Sequence, residues 1–154
     1  MAFGNANMGV LKSFTTSTAT TATAEETLAS YAMPANTLNR DGQALLIRAW
    51  GITAANGNNK TQKLYLGATA LISTGALAAN NKDWYLEALV VRSGAATQTS
   101  VGNGQANAAI VASDVVAGAE DLATALTIAL KATDATAAAD TTLKGFHVEM
   151  LQNA

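Results

Sequence analysis

The side chains able to act on a substrate are few and stand far apart. His147 is the single histidine of the chain, and with Glu149 it forms an i, i+2 pair that a strand would put on one face. Such a pair can share a proton or a metal ion. A metal centre takes three or four ligands, however, and the chain has no second histidine and no cysteine. Three copies of His147 could converge on the axis of a symmetric oligomer, but nothing in the sequence requires it. An interface or surface histidine is the simpler reading.

A serine nucleophile would have only His147 as its base, and no Gly-x-Ser-x-Gly elbow precedes it. A glycosidase pair could in principle come from Glu87, Glu149, Asp83 or Asp121. Glu87, beside Tyr85 and Trp84, has a sugar-compatible neighbourhood, although a strand carboxylate paired with Arg48 or Arg92 explains it more simply. Val101-Gly102-Asn103-Gly104-Gln105 lacks the lysine and following helix of a phosphate loop and reads as a turn. No catalytic, metal or cofactor set emerges, and the expectation is a protein that is not an enzyme.

Composition narrows the remaining classes. A chain of 154 residues suits one domain better than two. Nearly half of it is apolar, at 49%, but only 5% is aromatic, and Ala and Thr dominate. Burying a Val or Leu contributes roughly 1.5–3 kcal/mol and an Ala much less, so a lone protomer would have a thin core. Positive mean hydropathy with few charges predicts that part of the surface is covered by another copy. The net charge is −2, with lysines and arginines scattered from Lys12 to Lys144, so the basic footprint of a nucleic-acid partner is missing. No apolar run approaches the roughly 18 residues of a membrane span, and no basic stretch followed by an apolar one marks a secretory leader.

The elements that would position any site read as strands. Ala44–Ile52 and Thr61–Leu66 flank a polar tip carrying Asn56-Gly57, which predicts a hairpin with a loose loop. Lys60, Lys63, Asn56, Asn58 and Asn59 would form its solvated tip. In the first strand Leu45, Ile47 and Ala49 point one way and Leu46, Arg48 and Trp50 the other. Thr27–Met33 alternates and stops at Pro34. Asp83–Arg92 is the strongest strand, with Trp84, Leu86, Ala88 and Val90 on one face. Ala95–Gln105 reads as a short strand and turn, Asn103-Gly104 being the turn pair, and Ala106–Ser113 as a weak strand. Within Ala119–Ala139 a helix and a strand compete, and Thr124–Lys131 is read as a strand. Thr141–Leu151 closes the chain by alternating Phe146, Val148 and Met150 against Gly145, His147 and Glu149.

About eight strands with turns between them predict an all-β fold, a single antiparallel sandwich of jelly-roll type. Residues 1–24, rich in Thr, Ser and Ala, read as an extended N-terminal arm whose second half joins the sheet. Residues 25–154 then form the sandwich.

Taken together, Tyr31-Ala-Met-Pro-Ala-Asn-Thr-Leu-Asn39, Asp41-Gly42, Arg48-Ala-Trp-Gly51, Ala54-Ala-Asn-Gly-Asn-Asn-Lys60, Gly67, Trp84 and Arg92-Ser-Gly94 with Thr97-Gln98 resemble small β-rich virion proteins of tailed bacteriophages. These include capsid decoration (cement) proteins, head fibres and tail-associated domains. The resemblance runs from about Thr23 to Leu151 and contains no catalytic motif. It implies a jelly-roll-like sandwich that trimerises and sits on a particle assembled in a host cytoplasm.

The leading expectation is a homotrimeric decoration protein whose partners are itself and the major capsid protein. Val10, Leu11 and Phe14 would be the capsid contacts of the arm, and Trp50, Tyr65 and Trp84 would serve core or trimer packing. The alternative is a receptor-binding or fibre-tip module that recognises host-surface carbohydrate.

Overall fold

A computed structural model describes residues 9–151. It arranges them as eleven strands, with no helix among the described residues: β1 (Gly9–Phe14), β2 (Thr18–Ala19), β3 (Glu26–Met33), β4 (Ala44–Thr53), β5 (Lys60–Leu66), β6 (Thr69–Ser73), β7 (Asp83–Gly94), β8 (Thr97–Ala106), β9 (Ala109–Gly118), β10 (Leu126–Asp134) and β11 (Thr141–Leu151). All pairings are antiparallel. The seven-stranded sheet runs β1-β11-β4-β7-β8-β9, with β2 also on β11, and the four-stranded sheet runs β3-β10-β5-β6. The protein is therefore an antiparallel β-sandwich.

Period-two patterning decides which side chains meet between the sheets. From the large sheet Leu45, Ile47, Ala49, Leu86, Ala88, Val90, Phe146 and Val148 are sealed from solvent, and Leu64, Leu66, Leu71, Ile72, Ile128 and Leu130 of the small sheet meet them. Without β2 and the β8–β9 hairpin, eight strands remain. Ranked along the chain they lie as 1-8-3-6 in the large sheet and 2-7-4-5 in the small one.

Several expectations change at this level. β4 and β5 do not form a hairpin: β4 lies between β11 and β7, and β5 between β10 and β6. Their connection crosses the sandwich instead of reversing within a sheet, and neither Asn56 nor Gly57 has the positive φ of a tight hairpin turn. The loop is also only in part a solvated tip, with Gly57 and Asn59 exposed. Lys60 is 1% exposed, and its ammonium donates to the Asn56 carbonyl at 3.0 Å, to Asn56 Oδ1 at 2.6 Å and to the Ala79 carbonyl at 3.0 Å. The amides of Asn56 and Asn58 donate to the two carboxylate oxygens of Asp140 at 2.6 and 2.8 Å. Burial opposes ionisation of Asp140, but these bonds and the nearby Lys60 charge outweigh it and hold its pKa below the ordinary value. Asn56 and Asn58, which suggested a turn, are instead the rungs of a half-buried polar network. Lys63, by contrast, reaches Glu25 at 2.8 Å near the surface.

Asn103-Gly104 is likewise no turn. The segment from Val101 to Gln105 lies within the ten-residue strand β8, and its glycines face inward. A Cβ on Gly102 would stand 2.6 Å from Ile72 Cβ and 2.8 Å from the Leu71 carbonyl oxygen, so glycine is what lets β8 approach β6 this closely. The turn falls at Asn107-Ala108, both at positive φ (51° and 61°), the two-residue form that matches strand twist. Alternation does not predict β6, and the strand count rises from about eight to eleven. From the segment read as an arm, β1 and β2 both hydrogen-bond to β11. Residues 1–8 lie outside the described residues.

Candidate functional site: the outer face of the large sheet

Inter-strand register lays the outer face of the large sheet out in rows. Val10, Glu149, Leu46, Leu89, Val101 and Val115 form one row across six strands. The next holds Ser13, His147, Arg48, Glu87, Asn103 and Ser113, and the next Gly145, Trp50, Tyr85, Gln105 and Ile110. The face thus has an apolar band, a polar belt and an aromatic end. All the large apolar side chains that are exposed among the described residues lie on it: Val10 (61%), Val101 (52%), Val115 (68%), Ile110 (67%), Trp50 (36%) and Ile52 (37%). The outer face of the small sheet carries Tyr65, Lys63 and Lys131 instead, with Lys131 stacked 4.7 Å from the Tyr65 ring centre.

The polar belt centres on a charge cluster. Arg48 Nε donates to Glu87 Oε2 at 2.7 Å, and the Tyr85 hydroxyl donates to the same oxygen at 2.7 Å. Burial works against ionisation of Glu87, yet the bonds from Arg48 and Tyr85 more than compensate and keep its pKa below the carboxylate norm. Burial, and then the bond to Glu87, push the Tyr85 hydroxyl up to about 12. The Arg48 guanidinium is raised, chiefly by its bond to Glu87. A carboxylate held ionised by two donors is poorly placed to take up a proton. His147 Nε2 stands 3.7 Å from Glu149 Oε2, and no group of three or more potential metal ligands occurs among the described residues.

The residues singled out from the sequence separate in space. Trp84 is 2% exposed and lies in the core, its indole over Gly51. Trp50 is on the outer face of the large sheet, and Tyr65 is half-buried on the small one. Val10 joins the apolar row. Leu11 and Phe14 pack against the core, Phe14 with its ring centre 5.8 Å from that of Phe146. Val101, Val115, Ile110 and Gln105 were not foreseeable as face residues while β8 and β9 read as turn and weak strand. A period-two signal is present, with Thr97, Thr99, Val101, Asn103 and Gln105 outward, but the inward Ser100, Gly102 and Gly104 are too small to announce a core face.

At the aromatic end Trp50, Ile52, Asp83, Tyr85, Gln105 and Lys144 line a cleft of about 400 Å³. Trp50 pairs with Tyr85 on one side and with Gly145 on the other, and a Cβ on Gly145 would stand 2.1 Å from Cζ2 of the indole. The ring therefore rests on the β11 backbone.

No protein-family model and no curated protein matches this chain. Among solved structures, one similar in fold is the CBM2 module of the evolved Dit of Lactobacillus casei BL23 phage J-1, with a TM-score of 0.38 and 7% identity over 81% of this chain and 70% of that one.

Proposed function

We propose that this chain is a structural subunit that assembles with copies of itself through the apolar band of its large sheet. The observation that carries this reading is the apolar row on one sheet face, in which Val10, Val101 and Val115 are more than half exposed. An antiparallel sheet that faces only water alternates apolar-in with polar-out, and an extended apolar patch marks a contact surface. The row Leu46, Leu89, Val101 and Val115 departs from that alternation over four neighbouring strands, with Val10 beyond Glu149 at its far end. Complete burial of an aliphatic side chain contributes roughly 1.5–3 kcal/mol, and Val10, Val101 and Val115 still have more than half of their surface to bury.

We further read the strand order, 1-8-3-6 against 2-7-4-5, as a jelly roll with the β8–β9 hairpin inserted beside its sixth strand. This inserted hairpin widens the apolar face. With the resemblance to phage virion proteins, the reading becomes a homotrimeric decoration protein that binds the outer surface of a phage head. Many equal contacts on a repeating lattice give such a protein its hold, and it stabilises only the assembled state.

The test is the solution mass of the full chain by size-exclusion with light scattering, followed by loading onto capsids emptied of their decoration. A trimer that saturates such capsids is the expected result. A monomer at every concentration, with no lattice binding, refutes the reading.

A further inference from the structure

The aromatic end of the face has a chemistry that self-assembly does not use. The Trp50 indole is supported from beneath by Gly145 and keeps 36% of its surface open. Tyr85 stands beside it, paired in register. Around these rings Asp83, Gln105 and Lys144 supply a carboxylate, an amide and an ammonium to one cleft. Neither the Asp83 carboxylate nor the Gln105 amide has a hydrogen-bond partner among the described residues. Among the described residues Lys144 Nζ has only the Ser17 hydroxyl, at 3.1 Å. The volume, about 400 Å³, falls within the range of small-ligand pockets.

We propose that this cleft binds a neutral saccharide. A pyranose ring has an apolar C–H face that can lie on an indole, and a rim of hydroxyls that both donate and accept. Asp83 would accept from hydroxyls, Lys144 would donate, and Gln105 can do either. The alternatives fit less well. A phosphate or other anion would meet the Asp83 carboxylate with one lysine to offset it. A purely apolar ligand would leave the carboxylate and amide desolvated without partners, which is unfavourable. The belt of Arg48, Glu87 and His147 separates the cleft from the apolar band, so a sugar and a second protomer can be held together.

The test begins with the full chain on an array of neutral oligosaccharides, hexose and N-acetylhexosamine types included. The best-bound sugar is then titrated while tryptophan fluorescence is followed. The chain has two tryptophans, and because Trp84 also borders the cleft, Trp50→Phe shows which part of the signal comes from Trp50. Trp50→Ala is expected to abolish binding and Trp50→Phe to retain part of it. Asp83→Asn should weaken it about tenfold, a loss of one or two hydrogen bonds.

Far-UV circular dichroism checks that each variant folds. If Trp50→Ala does not, Asp83→Asn and Gln105→Ala carry the comparison. No bound sugar on the array, or affinity unchanged in the folded variants, overturns the proposal. The solution mass of Trp50→Ala reports separately on assembly: sugar binding lost with oligomer retained keeps the two sites distinct.

Discussion

Replacing Val101 and Val115 by serine tests the proposed assembly face directly. The two side chains face each other across β8 and β9 and are 52% and 68% exposed in the protomer. At roughly 1.5–3 kcal/mol for full burial of an aliphatic side chain, the surface still open on each can contribute about 1–2 kcal/mol when a second protomer covers it. Serine removes most of that, so the pair should weaken association by about 2–4 kcal/mol per protomer, roughly 30- to several-hundred-fold. Little folding energy is at stake, because exposed substitutions usually stay within about 0.5 kcal/mol.

The assay is sedimentation or light scattering over a dilution series, with thermal melting at a concentration low enough to separate protomers. The double variant should dissociate at far higher concentration than the parent while the separated protomers melt together. Ala70→Ser, on the exposed edge strand of the small sheet, serves as the control and should leave association unchanged. If the double variant keeps the parent's mass at every dilution, the apolar band is not the assembly surface and the argument fails.

Gly102→Ala should destabilise the fold by about 1–3 kcal/mol, because its Cβ would be driven into Ile72 and the Leu71 backbone where neither can yield freely. Chemical denaturation checks it, and an unchanged midpoint would mean that the sheets can separate locally. Lys60→Met leaves three acceptors on Asn56 and Ala79 without their donor and should cost about 1–3 kcal/mol; equal stability in urea would show that the loop re-forms its bonds elsewhere. Glu87 and Asp140 have folded pKa values below their ordinary 4.5 and 3.8. Their contribution is complete above those values and fades as pH falls through the lowered ones. Acid unfolding followed by circular dichroism should therefore begin below those ordinary values, and Glu87→Gln should remove the part that Glu87 contributes. Tyr85 should ionise near 12 in an ultraviolet absorbance titration; a phenol titrating at its ordinary 10.0 would mean that Tyr85 is neither buried nor bonded to Glu87 in solution.

The strands that carry large side chains were readable from the chain. In β4, β7 and β11 a sizeable apolar residue at every second position states both the element and its buried face, and the observed bounds differ from the expected ones by only a residue or two. That Glu87 would pair with an arginine was also foreseeable, since a charge on a half-buried strand face needs a partner, but the choice of Arg48 over Arg92 came from strand pairing. β8 and β9 were harder, because their inward positions are filled by Ser, Gly and Ala. A glycine chosen for close approach between sheets looks in sequence like a glycine chosen for a turn.

What the sequence by itself determined is the list of strands with strong alternation, the all-β class and the absence of a recognisable catalytic motif. These follow from side-chain period and residue type, which are local properties. Tertiary structure alone decided that β4 and β5 belong to different sheets, that Lys60 is buried, and that Val10, Val101 and Val115 share a row. Partners in those arrangements lie tens of residues apart, and strand pairing is fixed by which apolar faces can close over one core. No local pattern records that choice. The apolar row and the cleft of Trp50 exist only once the six strands stand side by side.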